Sequence, residues 1–135
     1  MTALKIEEQV RSEFNKREKT SAKKETLTLG GSGPSHEFDL YEKDKLIGGV
    51  STSPWLNKPN GAGKRSNNTG GQDRASAELL WLSLWQGQER RVHILTDKEM
   101  ASRIFRKYQG AVFPNRIEIY HFDAQSVAFH LIGTL

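Results

Sequence analysis

The stretch HEFDLYEKDKLIGGVSTSPW, from His36 to Trp55, decides the fold of this chain. It reads as two strands joined by a polar turn, Glu42-Lys43-Asp44-Lys45. Alternation along the first strand sets Phe38 and Leu40 on one face and Glu37, Asp39 and Tyr41 on the other. On the second strand Leu46, Gly48, Val50 and Thr52 share a face, and Ile47, Gly49, Ser51 and Ser53 share the opposite one. One face of the hairpin is therefore expected to be core. The other, where acids stand beside small residues, is a candidate site.

Beyond the hairpin, the segment NKPNGAGKRSNNTGG from Asn57 to Gly71 has almost no apolar residue and reads as a long loop. Loops longer than about 12 residues inside a compact domain are usually functional or disordered. Between Pro54 and Arg74 the bases Lys58, Lys64, Arg65 and Arg74 stand against the single acid Asp73, so +3 of the chain's +4 sits there. An arm that orders on a phosphate backbone and a plain disordered loop share this composition. Gln72-Asp73-Arg74-Ala75 then opens a helix, with Asp73 or Thr69 as its cap. Its run AELLWLSLW is apolar on nearly every side, which predicts burial between the sheet and another element or another subunit. Glu78 lies in that run, either as an i,i+4 partner of Arg74 or as a site carboxylate desolvated beside Trp81 and Trp85.

Arg91 to Thr96 is a short buried strand. Asp97 caps a third helix with Met100 and Ile104 on its apolar side and Arg103, Arg106 and Lys107 on its basic side, and Arg116 to Phe122 forms a further strand. The apolar tail from Ser126 to Leu135 fits a strand or a closing helix. Upstream, Leu4, Glu7, Val10 and Phe14 recur at helical steps. Glu7 is a carboxylate on an apolar stripe, so it marks either the stripe margin or a site. Thr26 to Leu29 alternates as a short strand, and the cluster Gly30-Gly31-Ser32-Gly33-Pro34 lacks the lysine of a phosphate-binding loop and reads as a turn.

The 135 residues fit one domain spanning residues 1–135. The absence of cysteine excludes disulfides and thiolate chemistry. No secretory segment or run of roughly 18 apolar residues is present, so the expected setting is cytoplasmic, without membrane. His36, His93, His121 and His130 lack metal-ligand spacing, and His36 is expected to face away from Asp39.

The order helix, strand, hairpin, buried helix, strand, with EFDLY and IGGVSTS on the paired strands, resembles the PD-(D/E)XK nuclease superfamily over roughly residues 4 to 96. That resemblance implies an α/β fold, a mixed central β-sheet flanked by helices with a restriction-endonuclease-like α-β-β-β-α-β core. It also implies that Asp39 is the metal-binding aspartate and Glu7 the helix-borne glutamate. Gly49 stands where the family has its second acid, and Ser51 where it has its lysine. Glu78 or Glu37 would replace the acid, giving a Mg²⁺ or Mn²⁺ site of Asp39, Glu78 and Glu37. Lys58 or Lys64 would replace the lysine, with Arg74 limited to steadying phosphate charge.

The candidate catalytic set is thus Asp39, Glu78, Glu7, Ser51 and Lys64, and the candidate nucleic-acid contacts are Lys58, Lys64, Arg65, Gln72 and Arg74. The expected function is a metal-dependent phosphodiesterase acting on DNA through a rearranged site. The alternative is a catalytically silent nuclease-fold module for DNA binding or protein assembly, with Trp55, Trp81 and Trp85 as anchors for a homodimer or other partner.

Overall fold

The computed structural model describes residues 2–135. In chain order the elements are α1 (Ala3–Glu18), β1 (Lys23–Thr28), β2 (Ser35–Glu42), β3 (Leu46–Ser51), α2 (Thr69–Leu84), β4 (Arg90–Leu95), α3 (Lys98–Tyr108), β5 (Ile117–Asp123) and β6 (Ala128–Thr134). The first six run α-β-β-β-α-β. All strands form one open mixed sheet in sequence order. β1, β2 and β3 pair antiparallel, β3, β4 and β5 parallel, and β6 returns antiparallel to β5. The fold is α/β, with helices on both faces of the sheet.

Two clusters mark those faces. Val10 and Phe14 of α1 pack on Leu40, Val50, Val92 and Tyr120, while α2 and α3 pack their Leu79, Leu82, Met100 and Ile104 on Ile47 and Leu95. The alternation read along β3 is therefore correct, but both of its faces are core rather than one. Along β2 the alternation fails. Phe38 joins the α2 cluster and Leu40 the α1 cluster. β1 and β2 pair as Lys23 with Tyr41 and Glu25 with Phe38, so β2 spends four residues where β1 spends three. The extra residue in this bulge turns the following side chain to the other face.

Caps define the helices. Thr2 accepts from the Lys5 amide and Asp97 from the Met100 amide, as a first-turn cap must. For α2 the cap is Asn68, whose side chain accepts from Gly71 N at 3.2 Å, in place of the expected Asp73 or Thr69. Nor is α2 buried all round. Gly71, Ala75, Leu79 and Leu82 face the sheet, while Leu80 is 55 % and Leu84 45 % exposed. A single sheet contact cannot cover every side of a helix. The preceding loop folds back on itself: Leu56 bridges Asn67, and Asn60 Oδ1 accepts from the Ala62 and Lys64 amides. The tail forms β6, and β1 begins at Lys23 rather than at Thr26. Among the described residues no helix is long and apolar enough to cross a membrane.

At the end away from the fork described below, Arg90 bonds Glu18, Glu118 and Tyr120, tying α1 to the sheet. Buried Arg91 donates to the carbonyls of Leu82, Trp85, Gly87 and Glu89, which satisfies its guanidinium without a carboxylate.

Candidate active site

β2 and β3 pair only from Leu40–Gly48 to Glu42–Leu46. Beyond that point they diverge, and Asp39 sits at the fork. Its Oδ2 accepts from Val50 N at 2.7 Å, and its carbonyl accepts from Arg11 Nη1 at 3.2 Å, so strand β3 and helix α1 both fix it. Burial pushes the Asp39 carboxyl up to about 7, assisted by the charges of Glu7 and Glu78 and opposed by the Val50 amide and Lys24. Glu7 rises from α1 on one face of the sheet and Glu78 from α2 on the other. The fork lets both act on one aspartate.

Glu78 reaches the fork because Gly49 has no side chain. A Cβ on Gly49 would lie 2.2 Å from Glu78 Oε1 and 2.4 Å from its Cδ and Cγ. The carboxylate from α2 thus fills the space that a residue 49 side chain would take. Its Oε2 accepts from His36 Nε2 at 3.1 Å, while Oε1 is buried with no hydrogen-bond partner. The His36 ring is held by stacking on Trp81 at 4.6 Å and by edge contact with Phe38 at 4.7 Å. Of the two readings offered for Glu78, the ion pair with Arg74 does not form: Glu78 meets His36, and Arg74 Nη2 donates to Ser53 Oγ at 3.2 Å.

A cavity of about 230 Å³ opens beside these acids, lined by Glu7, Val50, Ser51, Thr52, Ser53, Gly71, Arg74 and Glu78. Ser51 Oγ lies 2.7 Å from Nε2 of His93, whose side chain is fully buried. Burial holds His93 down to about 4, against the opposing pull of the Glu78 charge, so its ring is neutral near pH 7. Lys24 Nζ lies 3.8 Å from Glu7 and 3.5 Å from Glu37.

The structure brings together Asp39, Glu7, Glu78, Ser51 and Arg74 from the sequence candidates. Glu37 instead turns to solvent, its side chain 58 % exposed, and meets Lys24. Lys58, Lys64 and Arg65 are exposed on the loop and do not line this cavity; Arg65 Nε donates to Asn57 O. Gln72 is committed to the fold through its bond to the Trp55 carbonyl at 2.8 Å. Among the described residues no three His, Asp or Glu side chains stand ready to hold a metal ion together.

Sequence reasoning missed Lys24, His36 and His93. Lys24 is brought to the acids by the bulge it faces across the β1–β2 ladder. His36 and His93 each reach their partner across 42 residues, with no local signal to announce it. No protein family model, curated protein or solved structure matches this chain.

Proposed function

We propose that this chain is a metal-dependent phosphodiesterase acting on DNA, built on a restriction-endonuclease-like frame whose second acid has moved from β3 to α2. The observation that carries this reading is the carboxylate of Glu78 lying in the side-chain space of Gly49, beside Asp39. An acid missing from the strand is thereby replaced in space by one from the helix.

The residues fit a hard divalent cation. Asp39 is driven toward protonation by burial and by two neighbouring carboxylates, and Glu78 Oε1 is buried without a partner. A cation relieves both conditions. Mg²⁺ takes oxygen ligands and is commonly held by only one or two carboxylates with waters and substrate phosphate, so Asp39 and Glu78 suffice. When bound, such an ion polarises the scissile phosphate and makes the attacking water more acidic. Glu7, which lines the cavity, would take the proton released by that water, and Lys24 limits the charge that Glu7 and Glu37 add to the site. The water oxygen would bond to phosphorus as the P–O3′ bond breaks, its proton going to Glu7 and the 3′ oxygen taking a proton from solvent to leave as a hydroxyl. The loop bases Lys58, Lys64 and Arg65 hold DNA phosphates away from the reacting one, while Arg74, which lines the cavity, steadies phosphate charge there.

Plasmid and short duplex DNA incubated with Mg²⁺ or Mn²⁺ should be cut, and Asp39→Asn and Glu78→Gln should each abolish cutting while retaining the fold. Failure of the native protein to cut with either ion sinks the reading.

A specific observation favours the second reading, a silent module for DNA binding or assembly. Glu78 is engaged by His36 and Glu7 by Lys24, and the acids as they stand form no ready cage. Exposed Leu80, Leu84 and Val112 supply the apolar surface that such a module would offer to a second copy. Salt-dependent DNA binding without cleavage, together with a dimer in sedimentation, identifies that case.

A further inference from the structure

The Ser51–His93 pair is not among the residues assigned to a cation, yet at 2.7 Å it links the cavity to a fully buried side chain of the sheet. His93 pairs with Gly49 across the β3–β4 ladder and projects on the same face, reaching forward to Ser51. It is fully buried, its Nδ1 has no hydrogen-bond partner, and Nε2 meets only the Ser51 hydroxyl. A neutral imidazole carries one proton, on one nitrogen. A buried N–H with no acceptor is costlier to leave than a bare lone pair, so the proton belongs on Nε2, where an acceptor exists.

Nε2–H then donates to Ser51 Oγ, and the hydroxyl hydrogen of Ser51 is free to turn into the cavity. A hydroxyl that already accepts a hydrogen bond is also a stronger donor. Across the same cavity stands the Arg74 guanidinium, steadied by Ser53. A nucleophilic role for Ser51 is disfavoured, because it would require His93 to take up a proton in a site where burial opposes its charge.

We infer that Ser51 and Arg74 form an oxyanion subsite for a phosphoryl group, with His93 as the positioning residue that makes the Ser51 hydroxyl a donor. This rests on the phosphodiesterase reading for its substrate, a phosphodiester whose non-bridging oxygen would sit between the two donors. The subsite itself takes any phosphate small enough for the cavity.

Two measurements that need no turnover test it. Nitrogen-15 NMR of the histidine rings should show His93 as the neutral Nε2–H form; the Nδ1–H form overturns the proposal. Titration with inorganic phosphate, followed at the Ser51, Thr52 and Ser53 amides, should show binding that Ser51→Ala weakens about tenfold, the usual effect of losing one hydrogen bond to a charged group. Arg74→Met should weaken it at least as much. His93→Phe should match Ser51→Ala, with no further loss when the two are combined, since both remove one interaction. His93→Gln, whose amide retains a donor, should keep most of the affinity and serves where the Phe variant does not fold. Phosphate affinity unchanged by Ser51→Ala, or fully additive losses, overturns the subsite even if DNA is cut. Conversely, phosphate binding with these dependences in a protein that cuts no DNA leaves the subsite standing and removes the nuclease reading.

Discussion

Asp39→Asn isolates the conflict at the fork, because the amide keeps the shape of the side chain and an oxygen for the Val50 N–H while removing the charge opposed by Glu7 and Glu78. In the folded protein Asp39 is raised from 3.8 to about 7, chiefly by burial. In the unfolded chain it returns to roughly 3.9. Between about pH 4 and pH 7 the unfolded chain has released this proton and the folded protein has kept it, so stability falls as pH rises through that window. Above about pH 7 the whole penalty is present.

About three pKa units correspond to ~4 kcal/mol if the full difference is felt. Solvent entering the open fork screens part of it, and about 2 kcal/mol is the expected gain of the Asn variant near pH 8. For a chain of this size that is roughly 6–10 °C in melting temperature. By pH 4 Asp39 is protonated in the folded protein and about half protonated in the unfolded chain, so most of the gain should be gone. Thermal melts of the two proteins across this pH range give the answer directly, and added Mg²⁺ should raise the melting temperature of the native protein near pH 8 but not that of the variant. An Asn variant no more stable than the native protein near pH 8, or one with the same gain near pH 4, refutes the assignment of Asp39 as a strained site carboxylate.

Gly49→Ala places a Cβ 2.2 Å from Glu78 Oε1, so Glu78 must leave the fork; cleavage should be lost, with about 1–3 kcal/mol of destabilisation in thermal melts. The double variant Gly49→Asp, Glu78→Ala returns the acid to β3 and should recover part of the cleavage that Glu78→Ala removes, in the same plasmid assay. Lys24→Met releases Glu7 and Glu37, and should tighten Mg²⁺ binding in calorimetry while costing less than about 1 kcal/mol of stability, as expected for a partly exposed ion pair. Replacing Lys58, Lys64 and Arg65 together by Ala should weaken DNA binding uniformly across sequences and flatten its logarithmic salt dependence by up to about 3 units; an unchanged slope excludes the loop as a phosphate contact.

The parts of the fold that were legible are those set by local periodicity. β3, β4 and α3 each carry a pattern that one element can impose by itself, and the Asp97 cap is announced by its neighbours. The parts that were not legible depend on registration between elements. Nothing in EFDLY marks where an extra residue enters the β1–β2 ladder, because Phe38 and Leu40 are both apolar and suit either face. The apolar run of α2 overstated burial for a related reason. Leu80 and Leu84 are as hydrophobic as Leu79 and Leu82, and only the direction of the helix over the sheet decides which of them is covered.

The site follows the same division. Its acids could be named from the sequence, since Glu7 and Glu78 are carboxylates in apolar company and such residues need a reason. Its neutral and cationic partners could not, because Lys24, His36 and His93 become relevant only when β1, β2 and β4 are laid beside the fork. Gly49 shows why the two kinds of information must be combined. In the sequence it is a departure from the pattern of the nuclease superfamily that the hairpin resembles, which has an acid at that position. In three dimensions it is the condition that admits Glu78, since any larger residue there would collide with that carboxylate. The absent side chain on the strand and the acid on the helix are complementary halves of one arrangement, so a change at either position must be judged by its effect on the other.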